Sequence, residues 1–235
     1  MARYEPRLGL RGAREVRRVN STLRITTLAG AILIAATAVS AQTTPATPDR
    51  GYVEGVAESA FGNVTSQSYG AEFGVTVRPD IQVFGSFGHV GNVATSELST
   101  AAQSVASALT QLQPNSVSFS VNEPATFFVG GVRYRFSVAS TLKPYISGGL
   151  GVGSVSKDVK FLVGGTDVTN SISQYVTLGS DIAGSESGLM FTFGGGVVWP
   201  AWEQLIVDFH YQYGHISTDT PISVNRLGVG IGVRF

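Results

Sequence analysis

Between Arg50 and Phe235 the chain falls into eight stretches of about ten residues in which apolar and polar or small side chains alternate one by one. A period of two is the mark of a β-strand, because successive side chains point to opposite faces. In the first stretch, "RGYVEGVAESAFG", Val53, Gly55, Ala57 and Phe61 share one face and Glu54 and Glu58 the other. The second, "SYGAEFGVTV", sets Tyr69, Ala71, Phe73, Val75 and Val77 against Gly70, Glu72, Gly74 and Thr76. A third runs from Ile81 to Val90, and the fourth, "TFFVGGVRYRFSV", places Phe128, Val132, Tyr134, Phe136 and Val138 opposite Gly131, Arg133 and Arg135. The fifth, "PYISGGLGVGSVS", and the sixth, "GLMFTFGGGVVW", repeat the rhythm with Ile146, Leu150 and Val152 and then Leu189, Phe191, Phe193, Val197 and Trp199. In the seventh, "LIVDFHYQYGH", Asp208, His210 and Gln212 oppose Leu205, Val207, Phe209, Tyr211 and Tyr213. The eighth, "RLGVGIGVRF", carries the alternation to the last residue.

The connections differ in length. Those after the second, fourth and sixth strands are short, while those after the third and fifth run to about 30 residues, beyond ordinary hairpin loops. In an antiparallel order all the long ones fall at one end. The first long stretch has Leu98, Ala102, Val105, Leu109 and Leu112 at helical spacing, Ser96 as a candidate cap and Pro114 beyond, which predicts a short amphipathic helix. In the second, "VKFLVGGTDV" predicts a hairpin turned at Gly164 and Gly165.

Periodicity does not say which face points inward. A soluble eight-stranded barrel would hide its apolar set inside. The other set holds Glu54, Glu58, Glu72, Arg133, Arg135, Asp208, Arg226 and Arg234, four acids and four bases, among glycine, serine, threonine and glutamine. Such a face is glycine-rich and lysine-poor for a soluble exterior, but suits a narrow interior of small residues and mutually neutralising charges. The composition agrees: 43% hydrophobic, 14% charged and 29 glycines. In hydrocarbon a closed sheet keeps its hydrogen bonds even where side-chain propensity is weak. Aromatics gather near both strand ends, with Phe61, Tyr69, Phe87, Phe128, Tyr211 and Tyr213 toward the long loops and Phe136, Trp199, Trp202 and Phe235 at the other end. The expected fold is all-β, an eight-stranded antiparallel up-and-down transmembrane β-barrel.

Seven arginines precede the apolar run "ITTLAGAILIAATAV", which gives way to "SAQTTP". Charge, apolar core and small residues at Val39 and Ala41 predict an export signal over residues 1–41, cut after Ala41 and followed by a short linker, 42–49, and the barrel, 50–235. Removing 1–41 leaves nine basic against 14 acidic residues. An acidic chain of this kind argues against nucleic acid as a partner. No later stretch is apolar for the ~20 residues a membrane helix needs. The absence of cysteine removes disulfides, thiolate metal sites and a cysteine nucleophile.

On these features the chain resembles the small eight-stranded outer-membrane barrels, the OmpA-like and opacity-like superfamily, over Arg50 to Phe235. The most specific element is "GVGIGVRF", where Val229, Ile231 and Val233 precede the terminal Phe235. This ending is similar to the signal by which the barrel-assembly machinery recognises its clients. The resemblance implies residence in the bacterial outer membrane, export by the general secretory route, escort by periplasmic chaperones, contact with lipid and lipopolysaccharide, and a monomer with four surface loops. A structural or surface-interaction role, with a possible ligand met by the loops, is expected. Two other readings stay open, a narrow passive pore and a lipid A-modifying hydrolase.

The inward charges fit either a neutral plug of ion pairs or the lining of a narrow water path. For the hydrolase, His215 and Ser217 lie two apart in "YGHISTD", and a similar His-x-Ser occurs in outer-membrane lipid A deacylases, although Thr218 stands where that family has asparagine and no acid follows Asp219 to orient the histidine. His89 and His210 lack a third ligand at metal spacing, so no metal site is expected, and no cofactor. "GLGVGSVS" lacks the lysine and helix of a phosphate loop.

Overall fold

The computed structural model describes residues 50–112, 115–138, 140–174 and 183–235. The export signal and linker expected at 1–49 lie outside them. Eight strands form a closed ring: β1 (Gly51–Phe61), β2 (Thr65–Arg78), β3 (Ile81–Val90), β5 (Ala125–Arg135), β6 (Lys143–Val163), β8 (Gly184–Pro200), β9 (Leu205–Ser217) and β10 (Ile222–Arg234). Each pairs antiparallel with its neighbours, and β10 returns to β1 with Gly55 opposite Ile231 and Ala60 opposite Arg226. The seam is fastened at its end, where the Arg50 and Gly51 amides donate to the Phe235 carbonyl and the Phe235 amide donates to Gly51. A ring has no free edge, so every strand backbone is paired within it.

Alternation then sorts the side chains. Phe73, Val75, Phe87, Leu150, Phe193 and Phe209 are all more than half exposed on the outside. An apolar belt that runs around every strand needs a second apolar phase against it. Among the described residues no helix is long and apolar enough to cross a membrane; the strands supply the belt.

At the long-loop end the strands do not stop with the belt. β6 is 21 residues long, and its far half pairs with β4 (Val117–Asn122), from Val117 opposite Val163 to Asn122 opposite Asp158. The chain turns back at Gly164 and Gly165, with φ of 58° and 85°, into β7 (Thr166–Asp167). Two consecutive positive φ values make a two-residue turn whose twist suits a hairpin, as the Gly-Gly pair predicts. β4 had no counterpart in the sequence reading; it occupies part of what read as a long polar connection.

The helix expected over that connection is α1 (Ser96–Leu112). It lays Leu98, Ala102, Ala106 and Leu109 onto Val159, Phe161 and Ile172, a small apolar core beyond the ring. Its cap is Thr95 rather than Ser96: the Leu98 amide donates to Thr95 Oγ1 at 3.2 Å, whereas the Ser96 hydroxyl donates to Glu97. Ser96 is already inside the helix, and a cap must sit just before it to reach the third amide. Replacing Thr95 with alanine is expected to weaken the helix by about 1 kcal/mol, read as faster hydrogen exchange confined to its first turn.

Candidate functional site

The interior is filled at three levels. Nearest the short-turn end sits Arg133 on β5, 3% exposed, where its Nη2 meets Glu72 Oε1 at 2.5 Å, Asp208 Oδ2 at 3.4 Å and Glu54 Oε1 at 3.7 Å. These come from β1, β2 and β9, whose inward positions the ring brings to one height. Two tyrosines complete the site. Tyr52 donates to Glu72 at 2.7 Å and Tyr145 to Asp208 at 2.7 Å, and the guanidinium lies 4.8 Å and 3.8 Å from the centres of their rings. Gly230 makes room, since a Cβ there would stand 2.9 Å from Glu54 and 3.3 Å from Asp208.

Nearer the long-loop end a second cluster forms around Glu58. It accepts from Arg226 Nη1 at 3.1 Å and from Ser68 at 2.6 Å, and faces His210 Nε2 at 3.1 Å. Arg226 also donates to Gln212 and rests on the Phe127 ring, 4.3 Å from its centre. Together the two clusters leave about 10 Å³ of free space, the lower limit for a single water.

Beyond Arg226 the filling changes character. Ala60, Phe127, Val129, Met190, Ile216 and Val224 are buried against one another inside the ring. The sequence reading filled the inward positions with glycine, serine, threonine, glutamine and balanced charge; over the long-loop half that is corrected to an apolar packing. A narrow barrel only has to be filled, and side chains closed off from water above and below pack best when apolar.

The eight charges of the expected network are therefore not one group. Glu54, Glu72, Arg133 and Asp208 meet in the first cluster and Glu58 and Arg226 in the second, while Arg135 and Arg234 stand at the short-turn mouth. There Arg135 Nη2 donates to the Pro79 carbonyl at 2.8 Å and Arg234 Nε to the Glu203 carbonyl at 3.0 Å. Sequence reasoning missed Tyr52, Tyr145 and Ser68, although Tyr52 and Ser68 share the parity of the inward acids on β1 and β2 and Tyr145 lies on the face opposite Ile146.

His215 and Ser217 lie on the outward face of β9. The histidine is not bonded to Ser217: its Nδ1 lies 2.9 Å from Ser223 Oγ on β10, and its ring 4.9 Å from that of Phe191. No carboxylate among the described residues pairs with it. His89, on β3, lies 3.1 Å from Thr126 Oγ1. Among the described residues no group of three or more candidate ligands could hold a metal ion.

In the extension, Glu123 Oε2 accepts from the Thr95 amide at 3.1 Å, and burial pushes its carboxyl above the usual range. A raised acid favours the folded state when protonated, so its contribution falls as pH rises through that raised value. Glu123→Gln is expected to remove this pH dependence from the hydrogen-exchange protection around Thr95. Asp167 is held below its ordinary value by hydrogen bonds from the Thr169 hydroxyl and amide.

A closed antiparallel ring, apolar outside and packed within, defines a transmembrane β-barrel. The family model of the outer membrane protein beta-barrel domain matches residues 31–235. The chain belongs to that family and is a protein of the bacterial outer membrane. Its fold is similar to that of Neisserial surface protein A, at 15% identity and a TM-score of 0.52, covering 82% of this chain and 100% of that one. A major outer membrane protein of Thermus thermophilus matches at 11% identity and a TM-score of 0.51, over 79% and 99% of the two chains. Ail, the attachment invasion locus protein of Yersinia pestis, follows at 15% identity and 0.43, over 79% and 96%. No curated protein matches.

Proposed function

We propose that this protein is a sealed, non-catalytic barrel that holds an ordered interaction module at the cell surface. The observation that carries the reading is the α1–β4–β6 unit: seven buried residues give it a core of its own, Leu98, Ala102, Ala106, Leu109, Val159, Phe161 and Ile172, at the end where long connections gather. Loops held this way present a fixed surface at low entropic cost, as a binding platform needs. The barrel serves as its anchor, a monomer in lipid and lipopolysaccharide with the long loops outward.

The test is to replace residues 96–122 with a short Gly/Ser link and compare surface behaviour. The shortened barrel is expected to remain heat-modifiable on gels while losing attachment of the expressing cells to host-cell or matrix surfaces. Attachment that survives the deletion ends the reading. In planar bilayers the intact protein is expected to give no discrete conductance steps; in support, the charge clusters leave about 10 Å³ between them and the positions beyond are packed with apolar side chains, whereas regular steps would favour the pore instead. Lipid A from expressing cells is expected to keep its acylation; in support, among the described residues His215 pairs with Ser223 rather than Ser217 and with no carboxylate.

The proposed delivery uses two segments. Residues 1–41 act as a secretory leader cut after Ala41, with 42–49 as a periplasmic linker. Periplasmic chaperones carry the chain to the barrel-assembly machinery, which reads Val229, Ile231, Val233 and Phe235. In support, the Phe235 ring is 63% exposed on the outside of the strand that closes the seam. Removing Phe235 is expected to lower the membrane-inserted amount several-fold, measured by fractionation, with little change in stability once inserted.

A further inference from the structure

Nine basic residues lie between Arg50 and Arg234, and five of them, Arg50, Arg78, Arg135, Lys143 and Arg234, stand at the short-turn mouth. Four of the five line one open cleft of about 490 Å³, Arg50, Arg78, Arg135 and Lys143, together with Thr76 and Phe136. A smaller recess of about 40 Å³ beside it is lined by Arg135, Lys143 and Arg234 and reaches Arg133. No carboxylate lines either space. Asp80 and Glu203 are on turns at this end, yet no carboxylate among the described residues ion-pairs with Arg50, Arg78 or Lys143.

Backbone contacts set these cations in place. The Arg50 carbonyl accepts from Thr76 and its amide donates to Phe235; Arg135 reaches the Pro79 carbonyl; and Lys143 Nζ donates to the Ser140 carbonyl at 3.3 Å. Like charges gathered in one cleft repel, and an anion relieves that repulsion. Guanidinium groups match the paired oxygens of a phosphate, and an ammonium adds a point charge. The cleft also has an apolar wall, since Val77 is 57% and Phe136 41% exposed on the outward side. Cations beside an outward apolar wall, at the edge of the lipid belt, suit a phosphate that carries an apolar tail.

The geometry points to a phosphate-binding site at the short-turn mouth: the cleft among Arg50, Arg78, Arg135 and Lys143 takes a phosphate group, from a phospholipid head group or from a soluble molecule. The site rests on the barrel's place in a membrane and is independent of whether the lumen conducts or the far module binds a partner. Arg50, Arg78 and Lys143 stand apart from both lumen clusters.

The mature barrel in dodecyl maltoside, which carries no phosphate, is titrated separately with dihexanoyl phosphatidylglycerol and with inorganic pyrophosphate, and amide shifts are followed by NMR. Saturable shifts are expected at Arg50, Arg78 and Lys143, with an apparent Kd that weakens as salt screens the charges. The double variant Arg78→Gln with Lys143→Gln is expected to bind about tenfold more weakly, with heat-modifiability confirming its fold and Arg78→Gln alone used if the pair fails to fold. Saturation by both probes assigns the shared phosphate chemistry. Saturation by the lipid alone assigns a head-group site that needs the apolar wall, and by pyrophosphate alone a soluble source. No saturable shift with either probe, or a variant whose Kd stays within about twofold of the parent, a change well below that expected for two lost charge contacts, overturns the proposal.

Discussion

Arg133→Met is expected to lower the unfolding free energy of the barrel by about 3–5 kcal/mol. The cause is what the substitution leaves behind. Glu54, Glu72 and Asp208 all face the one guanidinium, and each is buried to within a few per cent. Without it their charges repel one another where little water can screen them. The aromatic cover is lost as well, since the Tyr145 ring lies against the guanidinium at 3.8 Å. Urea titration followed by tryptophan fluorescence would read the change, because Trp199 and Trp202 lie near the short-turn end. Adding Glu54→Gln and Asp208→Asn to Arg133→Met is expected to restore much of the loss. A single variant that costs under about 1 kcal/mol, the scale of an exposed pair, would mean that water enters and screens the cluster.

Ile216→Asp is expected to be comparably severe, at least about 3 kcal/mol or failure to fold, because it places an unpaired carboxylate in an apolar site. Ile216 is 1% exposed within the packing that includes Met190 and Val224, and its side chain lies where a Cβ on Gly153 would need to go. Ile216→Val, by contrast, is expected to cost only about 1 kcal/mol. The two variants together read the solvent content of the lumen. If both were mild, the long-loop half would be wet, and the sealed-barrel proposal would fail with it.

The strands were legible because lipid and lumen impose the same two-residue rhythm on every transmembrane segment; Phe73, Val75 and Phe87 could be assigned outward from parity and neighbour type alone. The pairing inside was not. Arg133 and Asp208 are separated by 75 positions, and only ring closure sets their common height. The apolar half was hidden for a different reason. At Met190 apolar residues occur on both faces, and around Ile216 and Val224 the contrast reverses, with His215, Ser217, Ser223 and Asn225 on the outer face, so the pattern that marks inside from outside is lost. In β4 the alternation of Val117, Phe119 and Val121 is present but spans six residues, shorter than a membrane crossing and easily read as part of a loop. The capping hydroxyl was misplaced by one residue because Thr95 and Ser96 are chemically equivalent candidates. His215 pairs with Ser223 across the sheet, whereas a linear motif can only suggest Ser217.

The turn at Gly164 and Gly165 has a practical side. It is the tip of a hairpin whose long arm, β6, runs unbroken from the short-turn mouth through the lipid belt to the surface module. Nothing packs tightly at that tip: a Cβ on Gly165 would meet no atom within 4 Å, and on Gly164 only the Asn115 side chain at 4.0 Å. A guest peptide spliced between the two glycines would leave the ring and the helix core undisturbed and would ride on a stalk continuous with the barrel wall. With the long loops outward, as proposed, the hairpin becomes a mast for displaying foreign epitopes on a bacterial cell.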